Sequence, residues 1–218
     1  MNTQAQARFN MVEQQIRPWQ VLDTQVLNVL SHVQRELFVP QAYQALAYAD
    51  TEIPLGHDET MLPPRVDARL MHDLQLTGTE KVLHIGTGSG YLAALLAGRA
   101  QRVVSLEINP ELASNARNNL QRAGISHVDV RVADGSQGAA GDAPFDAIVL
   151  GGSVSEVPQA LLQQLQVGGR LIAIVGHEPV MVATLFTRTA ENAWSSKALW
   201  DHTAPRLQGF TEPTRFKF

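Results

Sequence analysis

The sequence predicts a doubly wound α/β fold: a mostly parallel seven-stranded sheet with helices on both faces, preceded by a helical N-terminal cover. Three observations carry this reading. From Lys81 onward, apolar runs alternate with glycine turns and helical patterns, the signature of repeated strand-helix-strand units. The runs are nearly continuous in apolar residues, as strands covered on both faces require. Three glycines, Gly86, Gly88 and Gly90, stand between the first run and the helix after it, where such sheets bind their ligands.

The elements follow in order. Phe9, Val12 and Ile16 recur at helical spacing, and Asp23 is placed to cap a helix bearing Val26, Leu27, Leu30 and Val33. Pro40 opens another short helix running to about Tyr48. Residues 51–64 hold three prolines and a glycine and are expected to form a loop. Val66, Leu70, Met71 and Leu74 mark a helix that Gly78 should terminate. Then come the strand KVLHI, a helix from Tyr91 to Arg99, the strand RVVSLE, a helix from Pro110 to Ala123 and the strands VDVRV and AIVL. A helix near Pro158 to Leu165 leads to the strand RLIAIV. MVATLFTRT and SKALWDH have no helix between them, which predicts an antiparallel hairpin at one sheet edge. The rhythm changes near Thr77-Gly78, dividing one compact unit into a helical cover with its loop, residues 1–78, and an α/β part, residues 79–218.

Composition narrows the function. At 218 residues and 44% hydrophobic content the chain can build a large core. Without cysteine there is no disulfide framework, thiolate metal site or cysteine nucleophile. A net charge of -4 with scattered Lys and Arg supplies no general attraction for nucleic acid or an anionic membrane. The longest uncharged run, Val82 to Gly98, has 17 residues broken by four glycines, short of the ~20 apolar residues of a spanning helix. The N-terminus lacks the basic start and apolar run of a secretory signal, so a cytoplasmic location is expected. His57, Asp58 and Glu59 are consecutive polar residues that do not readily converge on one ion, and no metal site is assigned.

The glycine spacing discriminates among ligands. The pattern is G-x-G-x-G, neither the dinucleotide fingerprint nor a phosphate loop, which needs a following Lys. Seventeen residues after Gly90, Glu107 ends the second strand, where a carboxylate can accept hydrogen bonds from both ribose hydroxyls. These residues favour an adenosine-containing ligand. Taken singly, the glycines also fit a tight turn without a ligand, and Glu107 a solvated strand end.

The segment HIGTGSGY with its downstream acidic strand end resembles the S-adenosylmethionine site of class I methyltransferases, whose fold is Rossmann-like. More narrowly, the chain resembles protein-L-isoaspartate O-methyltransferases through MVEQQIR, VLDTQVLNVLSHVQRELFVP, AYADTEIPLG, VLHIGTGSGYLAALLA, VADGSQG, APFDAIVL and VPQALLQQLQVGGRLIAIVG. The resemblance implies S-adenosylmethionine as cofactor, S-adenosylhomocysteine as product, and carboxyl methyl transfer to damaged Asp and Asn sites of a protein or peptide. It implies that Gly86, Thr87, Gly88, Ser89 and Gly90 surround the amino acid part of the cofactor and that Glu107 holds its ribose. Asp134, followed by Gly135, would read the adenine amino group, although an Asp before Gly is by itself a turn former.

Three departures from the family fall near the chemistry. Where the family has a loop like TISQP, with a serine associated with catalysis, this chain has Thr60, Met61, Leu62, Pro63 and Pro64. An acceptor carboxylate, with a pKa near ~4, needs no base at neutral pH; it needs donors that orient it. Leu62, at the acceptor position, cannot donate and Pro63 has no N–H, so Thr60 becomes the candidate catalytic residue. His84 stands where the family has a Glu serving the cofactor's amino group; a neutral imidazole accepts one hydrogen bond but brings no negative charge. A buried structural histidine is the alternative there. In LGGSV, at 150–154, Gly151, Gly152 and Ser153 replace an alanine-rich run and are expected to shape the acceptor pocket. These departures keep open a member with a different acceptor, or a catalytically weak protein that binds cofactor or a partner.

Overall fold

The computed structural model describes residues 3–212. Helix α1 (Thr3–Met11) passes into a π-helical turn, Val12–Ile16, and a 3-10 turn, Arg17–Trp19. The i to i+5 repeat of the π turn moves the buried face, so Met11, Val12 and Ile16 are buried whereas Phe9 is exposed. Helix α2 (Thr24–His32) begins as expected: Asp23 accepts from the N–H groups of Gln25 at 2.7 Å and Val26 at 3.4 Å. The helix expected after Pro40 is a 3-10 segment, Gln41–Leu46.

The expected loop at 51–64 is instead largely a hairpin. Strands β1 (Ile53–Gly56) and β2 (Glu59–Met61) pair antiparallel, and Gly56, His57 and Asp58 reverse the chain at φ 87°, 57° and 60°. Its prolines rule out a long strand, but a short edge strand tolerates Pro54. Helix α3 (Pro64–Leu74) starts on Pro64 and ends at Gln75, whose backbone is left-handed, rather than at Gly78. Gly78 bends the following turn, where the Glu80 carboxylate collects the N–H groups of Thr77, Gly78 and Thr79 at 2.9 to 3.1 Å.

The main elements are β3 (Lys81–Ile85), α4 (Tyr91–Ala97), β4 (Arg102–Glu107), α5 (Pro110–Arg122), β5 (Val128–Val132), β6 (Phe145–Val154), α6 (Gln159–Gln163), β7 (Leu165–His177), β8 (Val180–Ala190) and β9 (Ala193–Asp201). They form a seven-stranded sheet in the order β5-β4-β3-β6-β7-β8-β9. The pairs from β5 to β7 are parallel; β8 runs antiparallel to both β7 and β9. The chain builds outward from β3 to β5, then returns to β6 on the other side of β3. That reversal opens a crevice at the carboxyl ends of β3, β4 and β6.

Strand alternation distributes the core between two faces. Val82, Val103, Val149 and Ile172 pack with Leu70 and Leu74 of α3 and Leu92 and Leu96 of α4. Leu83, Val104, Ile148 and Leu171 pack with Leu161 of α6. The N-terminal elements share a third cluster with α4 and α5, in which Met11, Ile16, Leu27 and Leu30 join Tyr91, Leu95, Ala116 and Leu120. No helix among the described residues is long and apolar enough to cross a membrane.

Candidate functional site

At the carboxyl end of β3, Gly86, Gly88 and Gly90 all have left-handed backbones, with φ of 85°, 53° and 87°. A side chain at these positions is strained, which is why the turn is written in glycine. The N–H groups of Gly86 and Thr87 donate to the Leu106 carbonyl at 2.9 and 3.2 Å, drawing the turn over the end of β4. Beneath it, the buried Glu107 accepts from Gly88 N–H at 2.7 Å through Oε2 and from Asn109 N–H at 3.0 Å through Oε1. Ser89 Oγ accepts from Tyr91 N–H at 3.2 Å at the start of α4. At the end of β5, Asp134 Oδ1 accepts from Ser136 N–H at 2.9 Å, so Asp134 does cap a turn, and Gly135 packs so closely on Ile85 that a side chain there would clash.

His84 is fully buried. Its Nδ1 lies 2.9 Å from Ser105 Oγ, which lies 2.7 Å from Thr87 Oγ1, while Nε2 has no hydrogen-bond partner. Burial pushes its pKa down to about 3, so the ring is neutral.

The hairpin places Thr60 over the glycine turn, and its hydroxyl donates to Glu52 at 3.4 Å. The side chain of Leu62 belongs to the apolar cluster on α3, and its carbonyl accepts from Arg35 Nη2 at 2.6 Å. Arg35, also fully buried, donates from Nη1 to Asp67 Oδ2 at 2.9 Å and lies 4.5 Å from the centre of the Tyr91 ring. Burial raises the Asp67 pKa to about 6, although Arg35 pulls it back.

After β9, residues 204–210 form a strap across the crevice. Ser153 N–H donates to the Pro205 carbonyl at 2.7 Å, Leu207 N–H to the Ser153 carbonyl at 3.0 Å, and Ser153 Oγ to the Ala204 carbonyl at 2.8 Å. A side chain on Gly152 would come within 2.9 Å of the Pro205 carbonyl. Gly152 and the fully buried Ser153 therefore seat the strap, and it is Gly151 that borders the crevice, a change from the sequence expectation. Leu207 lies over Gly86, where a Cβ would be 2.5 Å from Leu207 Cδ2, and Gly209 lies against Asp134. Gln208 Nε2 donates to Glu59 Oε1 at 2.7 Å, tying the strap to the hairpin.

Two small cavities border both Thr60 and the glycine turn. One, of about 50 Å³, is lined by Thr60, Gly86, Glu107, Gly135, Gly151 and Leu207 among others. The other, of about 30 Å³, is lined by Thr60, Leu62, Asp67, His84, Thr87 and Gly151 among others. Carboxylates, hydroxyls and backbone groups around a glycine cradle suit a ligand with hydroxyls at one end and charged groups at the other. Leu207 and Gln208 line the first of these cavities, which at about 50 Å³ is smaller than an adenosyl amino acid, whereas a larger cavity of about 540 Å³ reaches Gly88 and Ser89 from the side of Leu55, Leu112 and Asn119. Among the described residues no cluster of three or more His, Asp or Glu is arranged to hold a metal ion.

The structure thus brings His84, Gly86, Thr87, Gly88, Ser89, Gly90, Glu107, Asp134 and Gly135 together at the ends of β3, β4 and β5, with Thr60 above them. Sequence reasoning missed Asp67, Ser105, Leu207 and Gln208. Asp67 had a signal, because it shares the buried helical stripe of Leu70, Met71 and Leu74, where a carboxylate is unexpected. The strap has no periodicity to reveal it.

A family model described as protein-L-isoaspartate(D-aspartate) O-methyltransferase matches residues 6–202. The chain is 46% identical over 169 residues to a protein-L-isoaspartate O-methyltransferase of Methanoculleus marisnigri, covering 78% of this chain and 77% of that one. It is 43% identical over 195 residues to a second enzyme of that name from Marinobacter nauticus, covering 89% of each. Among solved structures, a Plasmodium falciparum protein described by the same activity and complexed with S-adenosyl-L-homocysteine superposes with a TM-score of 0.77 at 22% identity, covering 95% of this chain and 99% of that one.

Proposed function

The chain belongs to the protein-L-isoaspartate(D-aspartate) O-methyltransferase family, and from that premise we propose how its residues serve the reaction. It is an S-adenosylmethionine-dependent O-methyltransferase resembling the isoaspartyl carboxyl methyltransferases, with a protein acceptor. When bound, the cofactor supplies an electrophilic methyl group on a sulfonium. In our reading, Gly86 to Gly90 bring their backbone against its amino acid part, Glu107 receives the ribose hydroxyls, and Asp134 with Gly135 faces the adenine. The observation that carries this reading is the glycine turn itself, held over the buried Glu107 by the Gly88 N–H at 2.7 Å. A turn pinned on a carboxylate presents fixed acceptors at the crevice without reorganisation.

Residues 1–78 act as the cover that carries Thr60 to the α/β part, residues 79–218. With the cofactor bound, an acceptor carboxylate would take its methyl group, the new O–C bond replacing the S–C bond with no proton transferred, so the task of this chain's residues is to orient that carboxylate. Thr60 supplies the hydroxyl that holds this carboxylate, its proton turning to the acceptor from Glu52, 3.4 Å away. Leu62 and Pro63 supply no donor, so turnover is slow, and the strap residues Leu207 and Gln208 move aside to admit the cofactor.

The test is transfer of labelled methyl from S-adenosylmethionine to an isoaspartyl peptide and to its Asp counterpart. Slow labelling selective for the isoaspartyl peptide is expected. Absence of label from that peptide, in the native protein and in a Leu62→Ser, Pro63→Gln variant alike, would overturn the carboxyl-acceptor reading.

A further inference from the structure

We propose that Arg35 is a positioning residue for methyl transfer: from the helical cover it fixes the acceptor segment, residues 60–64, against the start of α4, and so sets where the Thr60 hydroxyl stands over the glycine turn. This rests on the reading that Thr60 holds the acceptor carboxylate.

Arg35 opens a 3-10 turn, Arg35–Leu37, after α2 and is fully buried. A charge in such a place is costly unless it is paired and hydrogen-bonded. Nη2 donates to the Leu62 carbonyl at 2.6 Å, Nη1 donates to Asp67 Oδ2 at 2.9 Å, and the guanidinium lies 4.5 Å from the centre of the Tyr91 ring. One side chain of the cover therefore meets the acceptor segment, α3 and α4 at once. Leu62, Asp67 and Tyr91 all line the cavity of about 30 Å³ that borders Thr60, so Arg35 braces the wall of that cavity from behind.

The Leu62 carbonyl is the contact that bears on Thr60. Strand β2 ends at Met61, and Pro63 and Pro64 bring no N–H to this stretch. A buried carbonyl here needs a donor from another part of the chain, and Arg35 supplies it. Pro63 holds Leu62 extended, and the Leu62 side chain is packed in the apolar cluster on α3. The segment is thus pinned two residues after Thr60. On the other side of the guanidinium, Tyr91 begins α4 directly after Gly90, with its N–H on Ser89 Oγ. Thr60 and the glycine cradle share one anchor, and a displacement of about 1 Å between reacting groups can cost about 10²-fold in rate.

Asp67 has a separate part, as the counter-ion of the buried guanidinium. A lysine could balance that charge, but a point charge has no planar fork to span Asp67 and Leu62 while stacking on Tyr91. Arg35→Lys therefore separates positioning from charge balance.

The variant is compared with native protein in three measurements. Affinity for S-adenosylhomocysteine by calorimetry should stay within about twofold, because Arg35 touches neither Glu107 nor the glycines. Hydrogen-deuterium exchange should quicken severalfold over residues 59–67, which include the Val66 and Asp67 amides that donate to the Pro63 carbonyl, and stay unchanged in β3 and β4. Labelled-methyl transfer to an isoaspartyl peptide should fall roughly tenfold or more, with the loss in kcat exceeding any rise in the peptide KM. A loss of cofactor affinity as large as the loss of transfer, or exchange that quickens equally through β3 and β4, would show a merely structural role and overturn the assignment; unchanged exchange over residues 59–67 would overturn it as well. Should Arg35→Lys not fold, Arg35→Met with Asp67→Leu carries the same test, since it replaces the buried pair by apolar side chains of similar volume. Native protein that binds S-adenosylhomocysteine but labels no isoaspartyl peptide would overturn the Thr60 reading and this assignment with it, leaving the cofactor site standing.

Discussion

Gln208 and Glu59, 149 positions apart in the chain, are joined by a 2.7 Å hydrogen bond that closes the strap over the glycine turn. Burial raises the pKa of Glu59, with the Gln208 bond opposing that shift. Replacing Gln208 by Ala removes the tie without touching the cradle. Because apparent affinity scales with the fraction of molecules that are open, Gln208→Ala should speed S-adenosylhomocysteine association severalfold. Stopped-flow fluorescence reads this directly; an unchanged association rate would mean that the strap does not gate entry.

Glu107→Ala removes the acceptor of two backbone N–H groups as well as the proposed ribose partner. Affinity for S-adenosylhomocysteine should fall below calorimetric detection. Leaving buried donors unpaired should also cost about 1 to 3 kcal/mol of stability in a denaturant melt. A variant that binds as the native protein does would place the ribose elsewhere.

Isoaspartyl turnover should be slow, because Leu62 and Pro63 offer no donors. Removing one donor from a reacting oxygen typically costs about 10² to 10³ in rate, and the lower end is expected for a carboxylate that loses charge in the reaction. Leu62→Ser with Pro63→Gln should raise that rate in a labelled-methyl assay, at a cost in thermal stability because Leu62 is buried in an apolar cluster. Native turnover equal to that of an active relative assayed alongside would show that Thr60 alone suffices.

His84 should leave a mark on acid stability. Its folded pKa of about 3 lies below the ordinary 6.5, so between those values the unfolded chain binds the proton that the folded protein refuses. Its stabilising contribution is complete above pH 6.5 and is lost as pH falls toward 3, with a slope of up to about 1.4 kcal/mol per pH unit. Thermal melts of native protein and His84→Gln between pH 7 and 4 should therefore draw the native protein down relative to the variant. Asp67 titrates in the opposite sense but is present in both proteins, so it cancels. Parallel stability curves would show that His84 takes up its proton without cost.

Much of this architecture was legible because it rests on local rules. The apolar runs KVLHI and RVVSLE have the composition of strands covered on both faces, and they occupy β3 and β4 residue for residue. Gly86, Gly88 and Gly90 could be placed because a left-handed turn demands glycine. What escaped depends on long-range contact. The hairpin around His57 and Asp58 uses non-glycine residues in left-handed conformations, for which composition gives no warning. Gln75 ends α3 in the same way, three residues ahead of Gly78. The burial of Ser153 follows from the strap, whose seat is some 50 residues away in sequence.

That seat makes the protein its own exchange probe. The amide hydrogens of Ser153 and Leu207 point in opposite directions across a single pairing between β6 and the strap, so both are released when the strap lifts and both are sheltered when it closes. Their hydrogen-deuterium exchange should proceed in concert, at a rate set by the opening free energy of the strap, while neighbouring amides within β3 and β4 exchange only with wider unfolding.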